Sequence, residues 1–566
     1  MNKAGLFITV ILFCSCANRT ELSKTDAPDA APRIVNIIHF IRQSEPRDGD
    51  VTEDVLYETV VEQVKLLRQY RLPGTFLLQY DALLNPRYRE LLKNETVPGS
   101  EIGAWWEITQ PHVEDAGMKW RGRYSWDWHA DVGFATGYTP AEREKLVDVY
   151  MAKFKSVFGK YPASVGSWFI DAHTLGYLYD RYGIVASCNC KDQVGTDGYT
   201  LWGGYWNQAY YPSRKNAYMP AQTGAGQIPV PVFRMLGSDP VYQYDTGLGS
   251  GSQGVISLEP VYQEDGGGGD RRWVEWFFRS MFDEPCLAFN YVQAGQENSF
   301  TWAGMQKGLT MQIPLLDSLR KQNRVRIETL ETSGRWFRKN YPVTPSTAVT
   351  ALTDYRTPER KTVWFNSRFY RANLIWEEGT FRFRDIHLFD ERFASDYLTR
   401  AGTSTQCIYS TLPVVDGFLW STRDEKAGLR IIDGQGQSPS TGSPTVSELP
   451  GDVLKVAFET VSEQAFEIVF HEDGFEVTCT KGGGTGWAME LKTAPGAELP
   501  FQSVESNRVN ALLKGFAYGI TCREGRFISA GDGGGVFRIQ PSGNKIAVDC
   551  SERQLEITPH TCGVNE

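Results

Sequence analysis

After its first dozen residues the sequence has no apolar run approaching the ~20 residues that a membrane-spanning helix needs. It has no block of like charges, so nothing in it reads as an acidic or basic tail. The net charge of −10 over 566 residues disfavours a nucleic-acid partner, which calls for a basic face. The glycine-rich stretch Gly266–Gly269 matches no phosphate-cradling fingerprint. No serine stands at a nucleophile elbow with partner histidine and aspartate, and no internal repeat of fixed period is visible. Cysteine is sparse, with ten in all. Cys188 and Cys190 are separated by a single residue, which is not the spacing of a zinc clip. These two and Cys286 read as small buried hydrophobes, and pairing is left open for Cys550 and Cys562.

What is present begins with a short basic start, Met1-Asn2-Lys3, a short apolar run from Leu6 to Phe13, and the stretch Phe13-Cys14-Ser15-Cys16. This resembles a bacterial lipoprotein signal. Residues 1–15 are then a signal peptide, Cys16 carries the lipid, and 16–32, polar with Pro28 and Pro32, is a tether. Ala17 in place of aspartate resembles the outer-membrane sorting pattern. The expectation is a cell-envelope lipoprotein on the outer membrane, touching the bilayer through its N-terminal anchor alone.

The length exceeds what one core serves. From residue 33 to about 341, apolar strand patterns alternate with helical ones, which predicts a parallel sheet with helices outside. Thr139-Pro140-Ala141-Glu142 is a capping box with proline at the first helical position, and its helix should end near Gly159. A second helix should end at Gly183, and a third should run from Arg271 to Phe282. Seven or eight strand candidates in about 300 residues point to an α/β barrel; we expect seven strands. From 345 to 566 helical periodicity fades into alternating strands and glycine turns, expected as a β-sandwich region.

Barrel sites lie at the C-terminal ends of the strands. Polar residues after the strand candidates are His39 and Arg42, Gln79 and Asp81, Glu107, Asp171 with His173, Asn189, Lys191 and Asp192, then Arg234, Glu259, Gln293, Gln296 and Glu297. Eleven of the sixteen tryptophans lie between Trp105 and Trp302. Flat aromatic faces bordered by acids and amides suit sugar rings, so a carbohydrate substrate is expected. Trp105, Trp106, Trp128 and Trp206, with His39, His129, His173 and Glu297, are its expected contacts. Asp127, His129 and Asp131 alternate and could face a metal, but a hydrogen-bonded loop is the expectation; no metal and no cofactor is called for.

The segments Gly74-Thr75-Phe76-Leu77-Leu78, Glu101-Ile102-Gly103 and Tyr161–Ile184 resemble successive strand segments of the glycoside hydrolase/polysaccharide deacetylase barrel superfamily, which includes glycoside hydrolase families 38 and 57. The resemblance covers roughly 33–341. The deacetylase metal ligands are absent at the matching positions, which read Phe40-Ile41-Arg42 and Ala104-Trp105-Trp106-Glu107. The resemblance therefore implies a glycoside hydrolase using paired carboxylates, with Asp171 as nucleophile or base because strand four carries the nucleophile in those families. Glu259 is the expected acid, and Glu107 and then Glu297 are reserves. The alternatives are a carbohydrate deacetylase with an atypical metal site and a non-catalytic sugar-binding lipoprotein.

Overall fold

The structure is a computed structural model describing residues 31–263, 266–357, 359–483, 486–530 and 535–551. The expected lipidation site Cys16 and Cys562 lie outside the described residues. The seven described cysteines are all free and buried.

The N-terminal half is built on the strands β1 (Arg33–Ile41), β2 (Thr75–Leu78), β3 (Glu101–Trp105), β4 (Ser164–Gly166) and β5 (Ala186–Asn189). A side hairpin, β6 (Gln193–Thr196) and β7 (Tyr199–Trp202), precedes β8 (Ala209–Tyr210), β9 (Val232–Arg234), β10 (Asn290–Ala294) and β11 (Arg326–Glu328). The hydrogen-bonded order is β10-β1-β2-β3-β4-β5-β9-β8, with β11 branching from β1. The expected seven strands are corrected to eight in this path, because Ala209–Tyr210 adds antiparallel to β9. The barrel is nearly closed. Its free edges are joined by side chains rather than a ladder: Gln208 Nε2 donates to Asn290 Oδ1 at 2.6 Å, and Leu236 N to Gln293 Oε1 at 2.8 Å.

Strand alternation sorts the core into two. Ile34, Ile38 and Phe40 of β1 pack inside the barrel with Leu77 and Trp105. Val35, Ile37 and Ile41 face the outer helices. Those helices begin and end on local signals. Thr139 and Glu142 form the expected capping box for Pro140–Phe158, which ends at Gly159 with φ 75°. Asp171 caps Ala172–Tyr182, which ends at Gly183 with φ 67°. Arg271–Phe282 is a helix with the expected bounds.

Two strand candidates are not strands where it matters. The strand in Ser164–Asp171 stops at Gly166. There the Ser167 hydroxyl donates to the Trp106 and Phe169 carbonyls at 2.7 and 2.9 Å and turns the chain. Gly254–Pro260 runs as a loop, tied to the barrel by Leu258 N to Leu236 O at 2.9 Å.

Beyond Thr347 the described chain forms antiparallel sheets of nine and eight strands. Phe365 and Phe470, one from each sheet, stack at 5.1 Å, and Phe383 and Phe475 meet at 5.0 Å. The two sheets thus face each other as a sandwich. The halves also interlock, since Cys407–Ser410 pairs in parallel with β7.

Candidate active site

A cavity of about 320 Å³ opens at the C-terminal ends of the barrel strands, walled by Arg42, Trp126, Trp168, Lys191, Tyr199, Glu259, Tyr262 and Glu297 among others. Five carboxyl groups line it: Asp48 and Asp197 are exposed, Glu45 is paired with Arg47 at 2.6 Å, and Glu259 and Glu297 are buried and linked to each other. Glu259 comes from the loop after β9 and Glu297 from the turn after β10. Gln296 links them: its Nε2 donates to Glu259 Oε1 and its Oε1 accepts from Glu297 N, both at 2.8 Å. The turn needs Gly295, whose φ is 92°. A Cβ there would lie 2.2 Å from the Ile38 carbonyl oxygen.

Each carboxyl has its own surroundings. Glu259 accepts from the Ser257 hydroxyl at 2.5 Å as well as from Gln296. Burial raises its pKa above the ordinary carboxylate value, and the Lys191 charge pulls the other way. Glu297 Oε1 accepts from Arg42 Nη1 at 2.8 Å and from the Ser299 hydroxyl. Its Oε2 has no partner among the described residues. Burial, opposed by Arg42 and reinforced by the Glu107 charge, pushes the Glu297 carboxyl up to about 7.

Arg42 is clamped from behind. Its Nε and Nη2 donate to the two Glu107 oxygens at 2.9 and 2.5 Å, and Gln79 Nε2 donates to Glu107 at 2.7 Å. The guanidinium lies 4.1 Å from the Trp126 ring centre. Glu107 therefore holds Arg42 and is not in the cavity wall.

The other expected site residues divide. Trp128 and His129 are not in the cavity wall; Arg123 lies 4.6 Å from the Trp128 ring centre and 3.1 Å from His129 Nε2. Asp171 is fully buried away from the cavity. It accepts from Arg143 Nη1 at 2.8 Å and from the Thr174 amide and hydroxyl at 2.9 and 2.6 Å. Because the strand ends at Gly166, Asp171 falls at a helix N-cap and not at a strand end. His39 shares the helix-facing side of β1; its Nδ1–H donates to the Gln296 carbonyl at 3.3 Å, and burial pushes its pKa down to about 4. His173 pairs with Glu144 on a neighbouring helix at 3.0 Å. Trp206 stacks on Trp364 of the sandwich at 3.8 Å.

Trp105 and Trp106 do point to opposite sides, but both are fully buried. Trp105 stacks on Phe40 at 4.3 Å inside the barrel, and Trp106 meets His112 at 5.5 Å under the helices. Neither is a platform. Trp105 instead backs Trp168, edge to face at 5.6 Å, and Trp168 is the ring in the wall. Arg42, Trp126, Trp168, Lys191 and Tyr262 were not among the expected contacts. Arg42 and Lys191 carried a signal, since each directly follows or lies just beyond a strand. Asp127 is held by Arg123 Nε and Nη2, each at 2.8 Å. Among the described residues no group of three or more His, Cys, Asp and Glu side chains is placed to hold a metal ion.

No family model matches the chain, and no curated protein matches it. Solved structures similar to it include a provisionally named glycoside hydrolase/deacetylase from Parabacteroides distasonis, at 15% identity over 70% of this chain and 89% of that one, with a TM-score of 0.49. A provisionally named polysaccharide deacetylase from Mycobacterium smegmatis has 15% identity over 56% of this chain and 95% of that one, TM-score 0.34. The 4-alpha-glucanotransferase of Thermococcus litoralis has 10% identity over 92% of this chain and the whole of that one, TM-score 0.30. At these identities and scores the chemistry of this chain has to come from its own residues.

Proposed function

We propose that the chain is a glycoside hydrolase that cleaves within the cavity between Glu259 and Glu297. One observation carries this: of the three buried carboxyl groups in the cavity wall, Glu45 is spent on Arg47, while Glu259 and Glu297 are bridged by Gln296 and Glu297 Oε2 has no partner among the described residues. Glycosidic cleavage needs one carboxyl as acid and one as nucleophile or base. A carboxyl whose pKa is pushed up to about 7 keeps its proton near neutrality and can give it to the leaving oxygen. Glu297 is therefore assigned the acid. Glu259, where two neutral donors and the Lys191 charge offset part of the burial that raises its pKa, is assigned nucleophile or base. This exchanges the role expected of Glu259 and replaces Asp171.

Retention of anomeric configuration would make Glu259 the nucleophile, and inversion would make it the base. The ring of Trp168, half-buried in the wall, supplies the apolar surface a pyranose face requires, whereas Trp126 is buried and covered by Arg42. Trp168→Ala should weaken sugar binding about tenfold with little change in melting temperature, as titration calorimetry would measure. The activity test is a panel of oligosaccharides read by product mass and new reducing ends. New reducing ends are expected; release of acetyl groups without chain cleavage would replace the hydrolase reading with the deacetylase one.

A further inference from the structure

Lys191 lies two residues beyond β5, in the cavity wall, with 1% of its surface exposed. Its Nζ makes no hydrogen bond to any described residue. A lysine this deep is almost always paired. The other basic groups of the cavity are already committed. Arg42 is bound to Glu107 and Glu297, and Arg47 to Glu45 at 2.6 Å. Glu259 senses the Lys191 charge, yet both its oxygens already accept from Ser257 and Gln296.

The residues on both sides of Lys191 are held in place, which fixes where its side chain leaves the main chain. Cys190 N donates to the Trp168 carbonyl at 2.8 Å. Asp192 accepts from Arg234 at 2.6 Å, Arg371 at 2.5 Å, the Tyr218 hydroxyl at 2.5 Å and Gly203 N at 3.0 Å. Trp126 Nε1, in the same wall, is a second buried donor without a partner. The acids Asp48 and Asp197 also line the cavity but are exposed, where water and salt screen them.

We infer that the cavity takes a sugar bearing an anionic substituent, a carboxylate or an O-sulfate, and that Lys191 holds that substituent; the inference rests on the hydrolase reading for the rest of the substrate. A lysine ammonium offers three donors and a charge. A neutral hydroxyl would give the amine an acceptor and leave its charge to Glu259 alone, which makes no hydrogen bond to it, whereas an anion supplies both the acceptor and a charge in direct contact.

The test is binding of the wild-type protein to an array that pairs each uronate oligosaccharide with its methyl ester and each O-sulfated oligosaccharide with its desulfated form. The anionic member of at least one kind of pair should bind about tenfold or more tightly than its neutral twin. Lys191→Met should abolish that preference and Lys191→Arg should retain part of it. The arm that responds identifies carboxylate or sulfate. Equal binding of the twins, no binding of any anionic glycan, or a preference that survives in Lys191→Met overturns the inference. So does a Lys191→Met variant that shifts only the acid limb of the pH profile, since Lys191 would then serve Glu259 alone. The comparison of twins needs no variant, so a folding defect in Lys191→Met leaves it decisive. Anionic preference without new reducing ends would sink the hydrolase reading and leave this one standing. Cleavage of neutral glycans without anionic preference would do the reverse.

Discussion

Glu259→Gln and Glu297→Gln should each lower turnover at least ~100-fold while leaving the melting temperature within a few degrees and sugar binding intact. The amide keeps the shape of each side chain. In Glu297→Gln the amide oxygen can still accept from Arg42 and Ser299, which share Oε1; in Glu259→Gln it can accept from Gln296 while the amide NH2 donates to the Ser257 hydroxyl oxygen. What is lost is the transferable proton in one case and the anion in the other. The two losses differ in kind. Glu259→Gln should be rescued in part by a small external nucleophile such as azide, because the acid remains. Glu297→Gln should spare substrates with good leaving groups, which need no proton. Wild-type turnover in either variant would remove that residue from the chemistry.

The pH dependence follows from the same pair. Glu297 is useful while protonated, so turnover should fall as pH rises through about 7. Glu259 is useful while ionised, so turnover should fall on the acid side, at a pH above the ordinary carboxylate value because burial raises its pKa. The linkage to stability has the sign of a raised pKa. The folded state keeps the Glu297 proton that the unfolded chain has released, so its contribution is full below the ordinary glutamate value and is lost as pH rises through about 7. A variant without the carboxyl, Glu297→Gln, should lose the alkaline limb of any residual activity profile.

Much of the barrel was legible because its signals are local. Thr139 with Glu142, and Gly159 and Gly183 in the left-handed region, mark helix ends by backbone chemistry that needs no tertiary partner. The site was legible only in part. Glu259 is an expected residue that lines the cavity, though "GVISLE" reads as a strand and runs as a loop whose apolar residues pack without a neighbouring ladder. Asp171 stands at a helix N-cap and not at the expected strand end, because Trp168, Phe169 and Ile170 look like strand residues and the Ser167 hydroxyl bonds that turn the chain leave no trace in apolar pattern. Glu107 sits where expected but faces Arg42. Which of several acids is consumed by a buried arginine depends on contacts 65 residues apart, and no spacing rule reaches that far. The isolation of Lys191 is of the same kind, since it depends on what fails to come near.

Arg143→Met should destabilise the protein by ~3–5 kcal/mol, more than Asp171→Asn, and neither should change turnover per folded molecule by more than a few fold. Both side chains are fully buried. Arg143 Nε donates to the carbonyls of Ala135 and Tyr138 at 2.9 and 2.7 Å. Its Nη1 reaches Asp171 at 2.8 Å and the Tyr397 carbonyl at 2.6 Å, and Nη2 reaches the Arg400 carbonyl at 2.9 Å. One guanidinium thus ties the loop before helix Pro140–Phe158, the cap of helix Ala172–Tyr182 and a segment of the C-terminal half. Methionine fills much of the volume but leaves the Asp171 charge and four carbonyls without their donor, and a buried charge stripped of its partner is the costly case. Asp171→Asn keeps a carbonyl oxygen for Thr174 N and Arg143 and loses the charge and the acceptor of the Thr174 hydroxyl, which can accept from the new NH2 instead, so its loss should be smaller. Chemical denaturation with activity normalised to the folded fraction separates the two effects. If Asp171→Asn instead abolishes turnover in a fully folded protein, Asp171 is catalytic after all and the pairing of Glu259 with Glu297 is wrong.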